Sequence, residues 1–163
     1  KFTDGLQPLN KSKGKKMKYS KFAIVSFSTL LMSSAFAETF EVKMLNSGTD
    51  GVMVFEPAVL KVNTGDTVVF KSTNPGHNSA SIAGMIPEGA EGWSGGMSQD
   101  ISVTLDQEGV YVYQCTPHMM MAMVGVIQVG EAINLDDIKP AAATAKSGFM
   151  MAEDRLDVYL SEL

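Results

Sequence analysis

Between residues 38 and 130 the sequence never holds a helical period for long; it breaks into short β-like runs separated by turn chemistry. TFEVKML (39–45) alternates Phe40, Val42 and Met44 on one face, and NSGTDG (46–51) follows as a turn. GVMVF (51–55) leads to Pro57, then VLKV (59–62), the turn NTGD (63–66) and TVVFKS (67–72). ISVTL (101–105), the turn DQEG (106–109), VYVYQC (110–115) and VGVIQVG (124–130) complete the set. Many short strands at this spacing cannot bury a helical stripe. They can bury alternate residues between two sheets, so an all-β antiparallel sandwich or barrel is expected.

The flanks read differently. MKYSKFAIVSFSTLLMSSAFA (17–37) has a basic start at Lys18 and Lys21, an apolar stretch softened by serines, and Ala35-Phe36-Ala37 as a small-x-small cleavage site. The apolar run is short for a bilayer span, so a cleaved secretory signal peptide is expected and membrane anchoring is not. No cysteine at the cleavage point offers a lipid attachment, and no twin arginine precedes the run. Residues 1–16 precede a plausible initiator methionine and are set aside as upstream sequence. One folded domain over 38–163 is expected, with C-terminal helices from about 134. NLDDIKP (134–140) suits a short helix, and KSGFMMAEDRLDVYLSEL (146–163) places Phe149, Leu156, Tyr159 and Leu160 near one helical face, with Ser147 at its start. GMIPEGAEGWSGG (84–96) reads as a surface loop with Trp93 as its anchor.

Residues 38–163 keep six of the chain's 13 Lys/Arg but 17 of its 18 Asp/Glu, a formal charge of −11. That argues against nucleic acid or an anionic membrane surface and favours a basic partner. An exported chain with a single cysteine carries a thiol exposed to wrong disulfides unless something occupies or shields it.

That cysteine lies in QCTPHMMMAMVG (114–125), three residues before one of only two histidines and just ahead of four methionines. His77 stands in TNPGHNSAS, 38 positions before Cys115. Alone, each of these is ordinary: a hydrogen-bonded histidine, a small buried cysteine, a soft packing methionine. Together they supply the inventory of a type 1 copper site, two imidazoles and a thiolate with a distant thioether. Cys115 with His118 as nucleophile and base is the catalytic alternative. The spacing leaves little room for a reacting pair and no orienting group is visible, so an enzyme is not expected. Copper(I) trafficking or storage on Met119, Met120, Met121 and Met123 is the binding alternative. Asn78 can pin the two segments that carry the candidate residues, Pro117 withholds a backbone donor from the cysteine sulfur, and Met53 can wrap His118 in apolar surface.

The segments EVKMLNSGTDGVMVFEPAVLKV, GDTVVF, GHN, GMIPEGAE, GVYVYQCTPHMMMAMVGVIQVG and EDRLDVYL, in this order, resemble the pseudoazurins, periplasmic blue copper proteins of the cupredoxin class. The resemblance implies a Greek-key eight-stranded β-sandwich with two C-terminal α-helices, and one copper held by His77, Cys115, His118 and Met123. Its pattern Cys-x-x-His-x-x-x-x-Met before Val-Gly-Val selects Met123; the shorter His-x-x-Met spacing to Met121 is similar to amicyanin. Met123 also abuts the strand-like VGVIQV. It further implies a monomeric periplasmic carrier of single electrons between redox partners, such as a nitrite reductase of denitrification, docking through an apolar patch around His118. Pseudoazurins commonly ring that patch with lysines. Here Pro75, Gln114 and GWSGG stand where basic residues would help, so docking to a basic partner surface is expected instead.

Overall fold

The computed structural model describes Gly5 and residues 36–163, and the fold below is that of 36–163 taken by itself. The segments expected to be upstream sequence (1–16) and signal peptide (17–37) fall, apart from Gly5, Phe36 and Ala37, outside the described residues.

Eight strands form: β1 (Thr39–Gly48), β2 (Gly51–Glu56), β3 (Val59–Val62), β4 (Thr67–Lys71), β5 (Ala80–Ser81), β6 (Ile101–Thr104), β7 (Gly109–Gln114) and β8 (Val124–Val129). They make two four-stranded sheets, in the orders β2-β1-β4-β6 and β3-β8-β7-β5. Two helices follow, α1 (Leu135–Lys146) and α2 (Arg155–Leu160). The eight-stranded sandwich with two C-terminal helices is as expected; the purely antiparallel pairing is not. β1 runs parallel to β4 and β3 parallel to β8, while the other pairs are antiparallel. After β2 the chain leaves the first sheet, runs as β3 in the second, and turns back at 63–66 to lie beside β1 in β1's direction. The side chain of Asp66 braces that return, accepting from the backbone N–H of Asn63 at 2.7 Å and of Glu38 at 2.8 Å.

The alternation along β1 points Val42 and Met44 inward, with Phe40 partly buried against the same cluster. β7 is buried on both faces, as its unbroken apolar run VYVY suggests. Tyr111 and Tyr113 enter the core between the sheets, whereas Val110 and Val112 join the core beneath the helices. Trp93 anchors its loop as expected: the indole N–H donates to Ser79 Oγ at 2.9 Å and the ring stacks on Phe70 with centroids 5.7 Å apart.

The helices depart from their expected lengths. α1 does not stop at Pro140 but runs on to Lys146. The proline forfeits one backbone hydrogen bond, while the alanine-rich stretch after it favours helix and buries Ala142 and Ala145. Ser147 closes α1 and does not start the second helix. The left-handed Ala152, φ +46°, lies in the connection, so α2 covers six residues only. Phe149, Leu156 and Tyr159 are nevertheless buried in one cluster, Phe149 from the connection and the other two from α2.

Candidate metal centre

Cys115, His118 and Met123 sit on one loop between β7 and β8, closed by its own backbone. Cys115 N–H donates to Met123 O at 2.9 Å, His118 N–H to Cys115 O at 3.1 Å, and Met123 N–H to His118 O at 3.2 Å. Thr116–Met121 form a 3₁₀ turn, whose first turn accommodates Pro117 because that N–H needs no partner there. Ala122 follows in the left-handed region, φ +53°, and swings the chain into β8. His77 arrives from the loop just before the two-residue β5, which pairs with the end of β7.

These residues converge. His77 Nδ1 lies 3.1 Å from His118 Nδ1 and 3.6 Å from Cys115 Sγ, and His118 Nδ1 lies 3.3 Å from that sulfur. The three donor atoms all fall within 4.8 Å of one another. His77 and Cys115 are fully buried and His118 is half-buried, so His118 is the member of the three nearest solvent. Met123 is fully buried in the same core cluster as Cys115, whereas Met121 is half-buried and outside it. Met119 packs on the opposite, helix-side core and Met120 is exposed. The run of methionines is therefore divided among different environments.

The surroundings tune these groups. Burial pushes the Cys115 thiol up, opposed by backbone hydrogen bonds from Asn78 and His118 that favour the thiolate. Burial, then the neighbouring His118, lowers the pKa of His77, so its imidazole stays neutral and open to a cation. His77 Nε2 donates to Asn46 Oδ1 at 2.8 Å; an amide oxygen only accepts, which leaves Nδ1 bare and facing the sulfur. Asn78 pins the two arms as expected: Oδ1 accepts from Thr116 N–H at 2.8 Å, and Nδ2 donates to Thr116 Oγ1 at 3.1 Å and to Gly95 O at 3.2 Å. Asn46 was not foreseen. It lies 31 residues before His77, near the end of β1, with no local mark of a role at the site.

Two imidazole nitrogens and a soft sulfur facing a common point, with a buried methionine on the same loop, suit copper. A two-sheet sandwich that carries such a set at one end defines a copper protein of the cupredoxin class. Residues 42–130 match the family described as copper binding proteins, plastocyanin/azurin family. The chain is 40% identical over 134 residues to the pseudoazurin of Paracoccus pantotrophus, covering 82% of this chain and 89% of that one. Among solved structures, pseudoazurin from Hyphomicrobium denitrificans is 37% identical with a TM-score of 0.69, over 77% of this chain and 98% of that one. A pseudoazurin from Sinorhizobium meliltoi is 52% identical with a TM-score of 0.62, over 63% of this chain and 81% of that one. The chain belongs to the plastocyanin/azurin family of copper binding proteins and, within it, to the pseudoazurins.

Proposed function

We propose that this chain is a type 1 copper electron carrier whose single copper is held by His77, Cys115, His118 and Met123. The observation that carries the reading is the convergence of His77 Nδ1, His118 Nδ1 and Cys115 Sγ within 4.8 Å. Copper bound there supplies a one-electron couple between Cu(II) and Cu(I). The chain's own residues do the rest: burial of Cys115 and His77 excludes water, Asn46 holds the His77 tautomer, and Asn78 fixes the spacing of the two arms. Fixed donors keep the reorganisation that accompanies each electron small. His118, half-buried on the end loop, is the route by which the electron leaves.

Transfer requires a brief encounter over a small interface, typically below about 1,200 Å² in total. Exposed Met120 on the loop, next to exposed Met150 whose N–H bonds Met120 O at 2.7 Å, supplies apolar surface there. Basic groups are scarce: Lys71, Lys139 and Lys146 pair with Asp100, Asp136 and Asp157, and Arg155 is buried. A redox partner with a basic surface fits this charge, and association should weaken as salt rises. Residues 17–37 serve as a leader cleaved after Ala37, residues 38–163 work in the periplasm as a monomer, and a nitrite reductase is a fitting acceptor.

The test is a visible spectrum after adding Cu(II) and then a mild reductant. An intense blue band that bleaches reversibly is expected. Colourless uptake of Cu(I) alone would sink electron transfer and favour trafficking on the methionine-rich loop.

A further inference from the structure

Arg155, the first residue of α2, is only 8% exposed, and none of the salt bridges among the described residues uses it. Its guanidinium donates instead to five backbone carbonyls. Nη1 reaches Ala122 O at 2.9 Å, Met53 O at 3.0 Å and Met121 O at 3.4 Å; Nη2 reaches Asp50 O at 3.0 Å and Val52 O at 3.3 Å. Two of these acceptors lie between His118 and Met123, and the other three belong to the β1–β2 turn and β2. With Met150 N–H on Met120 O, the carbonyls of Met120, Met121 and Ala122 are each taken by the C-terminal segment.

The acceptors also coincide with unusual backbone. Four non-glycine residues among those described have positive φ: Met53 (51°), Ser98 (57°), Ala122 (53°) and Ala152 (46°). Arg155 bonds the carbonyls of three of them, Met53 and Ala122 through Nη1 and Ala152 through its own backbone N–H at 2.9 Å. Left-handed residues with a side chain persist only where their surroundings over-determine them. A planar fork with five donors can hold carbonyls from several directions at once; an ammonium with three donors cannot reproduce that pattern.

We propose that Arg155 is a positioning residue for the metal centre: it clamps the left-handed turn at Ala122 and so sets Met123 and His118 relative to Cys115. α2 is then part of the site's framework as well as a lid on the helix-side core. The inference rests on the copper reading only for its spectroscopic arm.

The first measurement is hydrogen exchange in the metal-free full chain. In Arg155→Lys, the Ala122 and Met123 amides should exchange at least about tenfold faster, from loss of hydrogen bonds to a charged donor, while those of β4 keep their protection. In the copper-loaded chain the relative intensities of the visible bands and the reduction potential should both move. Ala122→Gly relieves the left-handed turn, so it should restore protection and band ratio in the Arg155→Lys background far more than it alters the parent. Unchanged exchange and spectrum in Arg155→Lys would overturn the proposal, as would an equal effect of Ala122→Gly in both backgrounds. If Arg155→Lys fails to fold, a double variant that folds supports the clamp and one no better folded overturns it. A parent chain without a blue band defeats the copper reading, yet the exchange comparison still decides the role of Arg155.

Discussion

The sheet β3-β8-β7-β5 separates two cores of different make. Between the sheets lie Phe55, Phe70, Tyr111 and Tyr113 with Cys115 and Met123; beneath the helices lie Val110, Val112, Val126, Ala142 and Ile138 with Ala122 and Val124. The loop from Cys115 to Met123 contributes to both. Its Cys115 and Met123 enter the aromatic core, and Ala122, which turns the chain, enters the helix-side one. Large rigid rings give the first core a fixed shape, with Phe70 edge-on to Tyr113 at 4.9 Å and Phe55 edge-on to Tyr113 at 4.7 Å. The second is mostly aliphatic where the sheet meets it, with Val110, Val112, Val124 and Val126, and takes Phe149, Leu156 and Tyr159 from the C-terminal segment as its cover. One core shapes the site, and the other supports the backbone that carries it.

The strongest break of this comparison is Phe70→Ala against Ile138→Ala. Phe70 is fully buried and touches Phe55, Tyr113 and Trp93, so its loss should cost about 3–5 kcal/mol in denaturant unfolding and disturb the copper band. Ile138 lies on α1 near the start of β7, the end opposite Cys115, where Asn134 bonds Val110 N–H at 2.6 Å. Ile138→Ala should cost about 2–5 kcal/mol and leave the band in place. If both variants shift the spectrum equally, the two cores do not divide the work as described.

Two asparagines give a smaller effect and sharpen the same contrast. Asn78 is buried and makes three hydrogen bonds to Thr116 and Gly95, so Asn78→Ala should cost about 1–3 kcal/mol and also weaken copper binding. Asn46 is exposed and holds only the His77 ring on this face. Asn46→Ala should lower copper affinity about tenfold with little change in the unfolding midpoint. Competition with a copper chelator and urea titration of both variants separate the outcomes; a large stability loss in Asn46→Ala would contradict its assigned role.

What the sequence shows of this molecule follows how local each cause is. Seven of the eight strands, the turn at 63–66 and the shared loop of Cys115, His118 and Met123 are written in contiguous residues and stand close to where expected. The turn expected at 46–51 shrinks to 49–50 because β1 runs on to Gly48, and the two-residue β5 was not foreseen. Asn78 was legible because it adjoins His77. The parallel pairings were hidden because they depend on which sheet β3 joins, a choice made by long-range packing. The continuation of α1 past Pro140 was missed because one lost hydrogen bond weighs less than the burial that follows. Asn46 and Arg155 act on residues tens of positions away, Arg155 on carbonyls 102 to 105 positions upstream as well as on the loop, and no motif announces a donor to bare backbone.

The finest test concerns one oxygen in the aromatic core. Tyr113 is fully buried and its hydroxyl has no hydrogen-bond partner among the described residues. Burial, and then the nearby Tyr159, hold its pKa above the ordinary tyrosine range, so the group is a neutral phenol at any working pH. Its cross-strand neighbour is Gly125, where an added Cβ would lie 2.3 Å from that hydroxyl oxygen; the glycine leaves the space that the ring fills. If the inter-sheet core is held by shape alone, the hydroxyl is a desolvated burden. Tyr113→Phe should then raise the unfolding free energy by about 1 kcal/mol, with the copper band unchanged. Gly125→Ala should be destabilising, because its methyl has to displace the same ring. A Tyr113→Phe chain less stable than the parent would mean that the hydroxyl bonds a buried water, and that the core beside Cys115 is held partly by a polar link instead of by ring packing alone.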